Sequence, residues 1–532
     1  MRWAGAEASV LGREAVRELD ARTIASGTPS IELMERAAAA IADALFDSSF
    51  HGVSLPDRPR LLVVAGRGNN GGDGFAVARL LASRRWRCTV ALASGEPVPG
   101  GDAAANLAEW RRIGGRVVEV SAALAEASGE SAPFDLLLDA VYGTGLVRPV
   151  EGADADLIHR INASGLPVVA VDIPSGLCAD TGVPLGVAVV ARATVTIGAA
   201  KPGLFLAEGP GHCGRTVVAG IGLLDPAGLG ITRAGVVVDD ATTRASWPRL
   251  SPLAHKGNRG HVLVVAGSRG KTGAAVLAAR GALRAGAGLV TVASTADVQA
   301  AVSAALPEAM THTLDSDPHG RVGVAAVDAL TELAAAADAV VVGPGLGKDP
   351  GCEALVACLA GASAPVVLDA DALNLVSGWD TAGRREVFAS RLASGAPRAI
   401  LTPHPGEMSR LCEATTAQIQ VSRKTFADKL AQELGVVVLL KGAATVVSDG
   451  SRTAFNLSGN AGMATGGMGD VLSGICAALA VRLGDPFEAA ALAAWVHGRA
   501  GDLAAEGAGG PGFLAGEVAD LVPGVLATRW PR

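Results

Sequence analysis

Short runs of Val, Leu and Ala, most ending on a glycine or an acid, recur between stretches of helical periodicity, and this alternation restricts the fold more than any other feature. LLVVAG at 61–66, Leu136-Leu137-Leu138-Asp139, VVAVD at 168–172 and ATVTIGA at 193–199 make a first series. VLVVAG at 262–267, AVVVGPG at 339–345, PVVLDAD at 365–371, AILTPHP at 399–405 and VVVLLKG at 436–442 make a second. Such runs fit strands buried on both faces of a parallel sheet, and intervals such as 75–84 fit crossover helices. The expected class is α/β, an α/β/α sandwich followed by a second α/β layer. At 532 residues the chain exceeds one ordinary core. Two domains are expected, 1–230 and 231–532, joined through a Gly-, Pro- and polar-rich stretch at 225–255 that includes Pro248, Pro252 and Gly257.

Composition removes several function classes. The mean hydropathy of +0.36 comes from dispersed Ala and Val, and no apolar run reaches the ~20 residues a membrane span needs. Glu7, Glu14, Glu18 and Asp20 near the start, with no apolar h-region, fit neither a secretory signal nor a transit peptide, so a cytoplasmic protein is expected. A net charge of -7 argues against nucleic acid as the main partner. Seven cysteines without C-x-x-C spacing read as small buried hydrophobes. Anionic ligands would then be held locally, by glycine loops and a few cations.

Two glycine-rich segments, GRGNNGGDG at 66–74 and ATGGMGD at 464–470, sit before helix-like runs in opposite halves. Glycine lets main-chain N–H groups approach an oxyanion, and a helix N-terminus adds unpaired donors, so the pair points to two sites for phosphorylated ligands. In the first half, strand ends add Asp139, the block GTGLVRP at 143–149 and DIPSG at 172–176. Four polar clusters at strand carboxyl ends fit one crevice, although Asp139 and Asp172 taken singly would also fit turn caps.

These motifs resemble the epimerase half of the NAD(P)H-hydrate repair enzymes over about the first 225 residues, most specifically through NNGGDG, D-x-x-x-GTG-L-x-R-P and VDIPSG. The resemblance implies a Rossmann-like sandwich. It implies that Asn69, Asn70, Gly71, Gly72 and Asp73, with Gly143, Thr144, Gly145, Leu146, Val147, Arg148, Pro149 and Asp172, bind the hydrated cofactor. It also implies that Asn70, Asp139 and Ser175 hold a potassium ion, a set of oxygens suited to a hard cation. The reaction implied is inversion at the hydroxyl-bearing ring carbon, either through loss and return of the hydroxyl or through ring opening, with Asp172 as the proton-transfer group. Lys201 is a further candidate, or else a surface lysine beside a turn.

In the second half, GSRGKT at 267–272 lacks the spacing of a phosphate-binding P-loop. More informative is Gly469-Asp470 opening the helix expected at 471–482. Its amides would face a transferring phosphoryl group while Asp470 takes a proton from the attacking hydroxyl; a plain N-cap role for Asp470 is the alternative. Lys441 and Thr445 flank a turn beside the same edge. His404 and Glu407 follow another strand, where a structural histidine is the commoner case. Asp369 and Asp371 would support magnesium-bound phosphate or fix their turn.

GPGLG, DADALN, TPHPGE, KGAAT and N-x-x-M-A-T-G-G-M-G-D resemble the ribokinase-like dehydratase half of the same family over about residues 235–525. The resemblance implies that Lys441, Gly442, Ala443, Ala444, Thr445 and Gly469 contact the adenine nucleotide, with Mg2+ accompanying it. Ala274, Gly345, His404 and Asp470 would contact the hydrated cofactor, with Ala275 and Gly347 as neighbouring alternatives. The implied reaction is dehydration of NADHX or NADPHX with ADP, or ATP, as phosphoryl donor, catalysed by Asp470; a homo-oligomer is expected. The rival expectation is a small-molecule kinase fused to a non-catalytic binding module.

Overall fold

The computed structural model describes residues 8–127, 133–244, 253–316 and 322–527. The chain divides into two compact units, with the break between Val236 and Val237. The stretch at 225–255 contains more order than a linker: Gly235–Val238 is a buried strand, and its Gly235 and Val236 pair antiparallel with Val10 and Ser9. Pro248 and Pro252 lie outside the described residues.

The first unit is built on seven parallel strands, β1 (Arg60–Ala65), β2 (Arg87–Leu92), β3 (Arg116–Glu119), β4 (Leu136–Ala140), β5 (Val168–Val171), β6 (Ala193–Ile197) and β7 (Arg215–Ala219), in the order 3-2-1-4-5-6-7. The order reverses direction between β1 and β4, the switch point where open α/β sheets leave a crevice at the strand carboxyl ends. Apolar side chains from both faces of β1 and β4 are fully buried, which is why these strands read as continuous rather than alternating runs.

The helix after β1 begins earlier than its periodicity suggests, at Asn69 rather than near Phe75, and runs to Ser83. Gly71, Gly72 and Gly74 are therefore inside its first turns, and none has positive φ. Their role is close approach. A Cβ at Gly71 would lie 1.8 Å from the Gly66 carbonyl oxygen, one at Gly72 2.8 Å from Met34 Sδ, and one at Gly74 2.8 Å from Ala140 Cβ.

The second unit has the expected ribokinase-like α/β form, with strands β8 (His261–Val265), β9 (Leu289–Ser294), β10 (Met310–Thr313), β11 (Ala339–Val342), β12 (Val366–Leu368), β13 (Ile400–Leu401), β14 (Val437–Leu440), β15 (Thr445–Ser448) and β16 (Thr453–Asn456) in the order 16-15-14-13-12-11-8-9-10. β8 to β14 are parallel to their neighbours, and β15 and β16 close one side antiparallel. Helix Met468–Leu483 is pressed onto helix Thr272–Arg284 through glycines: a Cβ at Gly281 would be 2.3 Å from the Val471 carbonyl oxygen, and one at Gly474 2.0 Å from that of Ala278. Among the described residues no helix is long and apolar enough to cross a membrane.

The close approach of the first unit's helix makes a direct prediction. Gly71→Ala forces the helix off the β1 loop and costs more than the ~1–3 kcal/mol typical of overpacking, whereas Gly68→Ala, with nothing within 4 Å, costs under about 1 kcal/mol. Denaturant unfolding of the two variants checks this; equal stability would refute the packing role.

Candidate active sites

In the first unit the carboxyl ends of β1, β4, β5 and β6 open on a cleft of about 800 Å3. Asp172 sits just beyond β5 with φ 67°, a left-handed conformation unusual for a residue with a side chain. Its carboxylate accepts from Lys201 Nζ at 2.5 Å, Thr144 N at 3.1 Å, Ile197 N at 3.3 Å and the Thr144 hydroxyl. Burial alone would raise its pKa. The Lys201 ammonium and the Thr144 donors outweigh that and hold the carboxyl below its ordinary value. Lys201 is no surface residue: it is 1% exposed and donates also to the Ile197 carbonyl at 2.8 Å and the Thr196 hydroxyl at 3.1 Å.

Asp139 ends β4 fully buried, accepting from Ser175 N at 2.8 Å, Ser175 Oγ at 2.6 Å and Val141 N at 3.3 Å. Burial pushes its pKa up to about 6 despite those bonds. Ser175 Oγ in turn accepts from Tyr142 N at 2.8 Å, so β4, β5 and the 141–149 loop are tied together. Asn70 stands on the other side of Gly143, where a Cβ would meet Asn70 Oδ1 at 3.0 Å and Asp172 Oδ2 at 3.2 Å. Asn70 Nδ2 is buried without a hydrogen-bond partner.

The expected residues therefore divide. Asn69, Asn70, Asp73, Gly143, Thr144, Gly145, Leu146, Arg148 and Asp172 line the cleft. Gly71 and Gly72 are buried in helix packing and do not line it, whereas Gly68, the N-cap of the same run, does. Val147 and Pro149 do not line it either, Val147 being exposed. Asp20, on helix Arg13–Ala25, lines the cleft without having been singled out; a lone acid in a charged helix carries no signal in sequence.

In the second unit the switch point lies between β8 and β11. Gly345, with φ 62°, sits so close to the start of helix Thr272–Arg284 that a Cβ would meet the Lys271 carbonyl oxygen at 2.9 Å and Ala274 Cβ at 3.0 Å. Lys271 reaches Asp371 Oδ2 at 3.0 Å, and Gly347 N donates to the same oxygen at 3.0 Å.

At the next strand ends, Lys441 Nζ lies 2.8 Å from Asp369 Oδ1 and 3.8 Å from Glu407 Oε2. A Cβ at Gly469 would be 3.1 Å from Lys441 Nζ, which brings the start of helix Met468–Leu483 to the same cation. Gly442, Ala443 and Ala444 form the turn into β15, which starts at Thr445. Gly442 and Ala443 are exposed there.

Asp470 is the third residue of its helix, and Gly467 with φ 90° is the N-cap, so capping does not explain the acid. Burial first, then the Asp369 charge, raise Asp470 to about 7 against the pull of Lys441. Glu407 is raised to about 7 for the same leading reason. His404 does have a structural part: it caps helix Pro405–Leu411, its Nδ1 accepting from Gly406 N at 2.9 Å, while Glu407 Oε2 accepts from His404 N at 2.8 Å. Burial and the nearby Lys441 lower its pKa. A neutral ring accepting at Nδ1 carries its proton on Nε2, and that edge is half exposed.

Each of the two α/β units carries a lysine among carboxylates beyond its strand carboxyl ends, so the chain presents two separate candidate sites. A family model described as YjeF-related protein N-terminus matches residues 30–203, and one described as NAD(P)H-hydrate dehydratase matches residues 262–523. The bifunctional NAD(P)H-hydrate repair enzyme Nnr of Moorella thermoacetica is 41% identical over 510 residues, covering 94% of this chain and 92% of that protein. Its namesake in Escherichia coli is 37% identical over 468 residues, covering 87% and 84%. The Bacillus subtilis ADP/ATP-dependent NAD(P)H-hydrate dehydratase co-crystallized with ATP/Mg2+ is 29% identical, with a TM-score of 0.46 over 55% of this chain and 97% of that one. The chain belongs to the family of bifunctional NAD(P)H-hydrate repair enzymes.

The Lys201–Asp172 pair has a measurable signature. Because the Asp172 pKa is lowered, the pair's stabilisation is fully present above the unfolded value near 3.9 and is lost as pH falls through the lower folded value. Lys201→Met leaves a buried carboxylate unpaired and should cost about 3–5 kcal/mol at neutral pH, less in acid. A pH series of thermal unfolding reads this; a pH-independent deficit would exclude the charge as its cause.

Proposed function

We propose that the first unit interconverts the R and S epimers of hydrated NADH and NADPH and that the second dehydrates the S epimer with ADP, releasing AMP and phosphate. The observation that carries the proposal is that each unit gathers a lysine and several carboxylates beyond its strand carboxyl ends, with Asp172 lowered and Asp139 raised to about 6 in the first and Glu407 and Asp470 raised to about 7 in the second.

In the first unit the cleft residues Asn69, Asn70, Asp73, Gly143, Thr144, Gly145, Leu146 and Arg148 would hold the substrate. Asp172, ionised beside Lys201, would be the proton-transfer group or the counter-charge to a cationic ring. Asn70, Asp139 and Ser175 fit potassium: Asp139 is a buried carboxylate bonded only to Ser175 and the Val141 amide, and the other donors are neutral oxygens. When bound, the ion would supply the counter-charge that keeps Asp139 ionised. Exchange into a potassium-free tetramethylammonium buffer should lower the unfolding temperature of this unit and the epimerisation rate, both restored by KCl; indifference to potassium would reject the site.

In the second unit Lys441, Gly442, Ala443, Ala444, Thr445 and Gly469 would hold ADP, and Ala274, Gly345 and His404 the hydrate. Asp470 takes the proton of the ring hydroxyl as that oxygen bonds to the terminal phosphoryl group and AMP departs. Phosphate then leaves as the neighbouring ring carbon gives up a proton, restoring the dihydronicotinamide. The half-exposed Nε2 edge of His404 would donate to the substrate. Among the described residues no three His, Cys, Asp or Glu side chains are grouped to hold an ion. Asp369 and Asp371 would therefore stand behind magnesium carried on the nucleotide phosphates, where the metal supplies charge neutralisation.

Seven free thiols fit a cytoplasmic setting, and a homo-oligomer is the proposed assembly, to be read by light scattering. Asp470→Asn should abolish ADP-dependent dehydration, spare epimerisation and raise the unfolding temperature at neutral pH, because a carboxyl raised to about 7 destabilises the fold when ionised. Wild-type dehydration should fall as pH drops below about 7 and the base form is lost. Asp172→Asn should do the reverse to the two activities. Loss of both activities in either folded variant would refute the division of labour, and a stable phosphorylated product would instead identify a kinase.

A further inference from the structure

The epimerase reading leaves one chemical requirement unmet by Asp172 and Lys201. Hydroxide is a poor leaving group, so a proton has to reach the ring oxygen when its bond to carbon breaks. Asp172 is held ionised. The Lys201 ammonium gives its protons to Asp172, Thr196 and Ile197. Neither is a ready acid.

Four other carboxyls line the same cleft; Asp154 is paired with Arg148 at 2.7 Å and Asp102 stands in the first turn of helix Asp102–Arg112, while Asp73 and Asp20 stand in the field of Lys201 and Asp172. Asp73, in the first turns of helix Asn69–Ser83, is 7% exposed, so a polar side chain more than nine-tenths buried faces the cleft, and no hydrogen bond to its carboxyl is seen. Burial, reinforced by Asp172 and then Asp20, raises it well above the ordinary value, toward the neutral form. Asp20, on helix Arg13–Ala25, is half-buried and likewise carries no hydrogen bond. Burial raises it to about 6, with Lys201 pulling it down and Asp172 pushing it up. It can therefore hold and release a proton near neutrality. It also lies before the residues 30–203 matched by the family model for this half.

We propose that Asp20 is the proton donor and acceptor of epimerisation. Asp20 gives its proton to the ring hydroxyl as the carbon–oxygen bond breaks and the ring nitrogen's lone pair forms a C=N bond; water leaves, and Asp20 is ionised opposite a cationic ring. Water adding to the other face forms the new carbon–oxygen bond, the C=N pair returns to nitrogen, and the surplus proton goes back to Asp20. Ionised Asp172 stabilises the cation between the two steps. The assignment rests on the epimerase reading of the first unit.

The test uses the full chain without nucleotide, following resolved R and S hydrates of NADH by chromatography. Asp20→Asn should lower kcat on the order of 100-fold or more with little change in KM, and Asp20→Glu should recover part of it. Wild-type kcat should fall as pH rises through about 6, where Asp20 loses its proton in the field of Lys201 and Asp172; the asparagine variant should lack that limb. ADP-dependent dehydration of the S epimer should be unchanged in both variants, showing that the chain is folded. Wild-type epimerisation by Asp20→Asn, a defect confined to KM, or a wild-type profile with no limb near 6 would overturn the role of Asp20 alone. A wild-type chain that does not epimerise at all would overturn the reading beneath it.

Discussion

One ammonium, buried in the first unit and partly buried in the second, set among several carboxylates is the interaction on which both sites depend. Lys201 serves Asp172, with Asp73 and Asp20 in its field. Lys441 serves Asp369, with Glu407 and Asp470 in its field. One cation cannot satisfy three carboxylates in a desolvated place. Asp172, bonded to its lysine, is held below its ordinary value while Asp73, Asp20, Glu407 and Asp470 are raised, which separates acids from bases without importing other residue types.

Packing is what keeps these groups dry and close. In the first unit the helix Asn69–Ser83 approaches β1 and β4 through glycines that leave no room for a Cβ, so Asp73 is carried down to the cleft floor. In the second, Gly281 and Gly474 let the helix bearing Asp470 lie against helix Thr272–Arg284. The same closeness brings Gly469 within reach of Lys441. Backbone proximity thus sets the electrostatics, and the electrostatics set the chemistry.

Much of this was legible in the chain. Buried parallel strands read as continuous apolar runs, and polar residues directly after them marked the sites, since strand carboxyl ends converge whatever the loop sequence. Glycine was the ambiguous letter. Within the run 66–74, Gly71, Gly72 and Gly74 serve helix packing while Gly68 lines the cleft, because close approach to an anion and close approach to a carbonyl select the same residue. Half-exposed edge strands such as Arg116–Glu119 lacked an apolar run. The burial of Lys201 and the entry of Asp20 into the cleft depend on contacts far apart in sequence. His404 has a structural part that sequence could not separate from a binding one, capping a helix with Nδ1 while its half-exposed Nε2 lies 3.4 Å from Glu407 Oε1.

The most direct measurement is recovery of reduced-nicotinamide absorbance from an equal mixture of the R and S hydrates of NADH, with purified chain and ADP. Complete recovery, with one phosphate released per dihydronicotinamide regained, is the predicted result, because the first site feeds the second the epimer it uses. Recovery that stops when the S epimer is spent would contradict an active first site, and no ADP-dependent recovery would contradict the dehydratase.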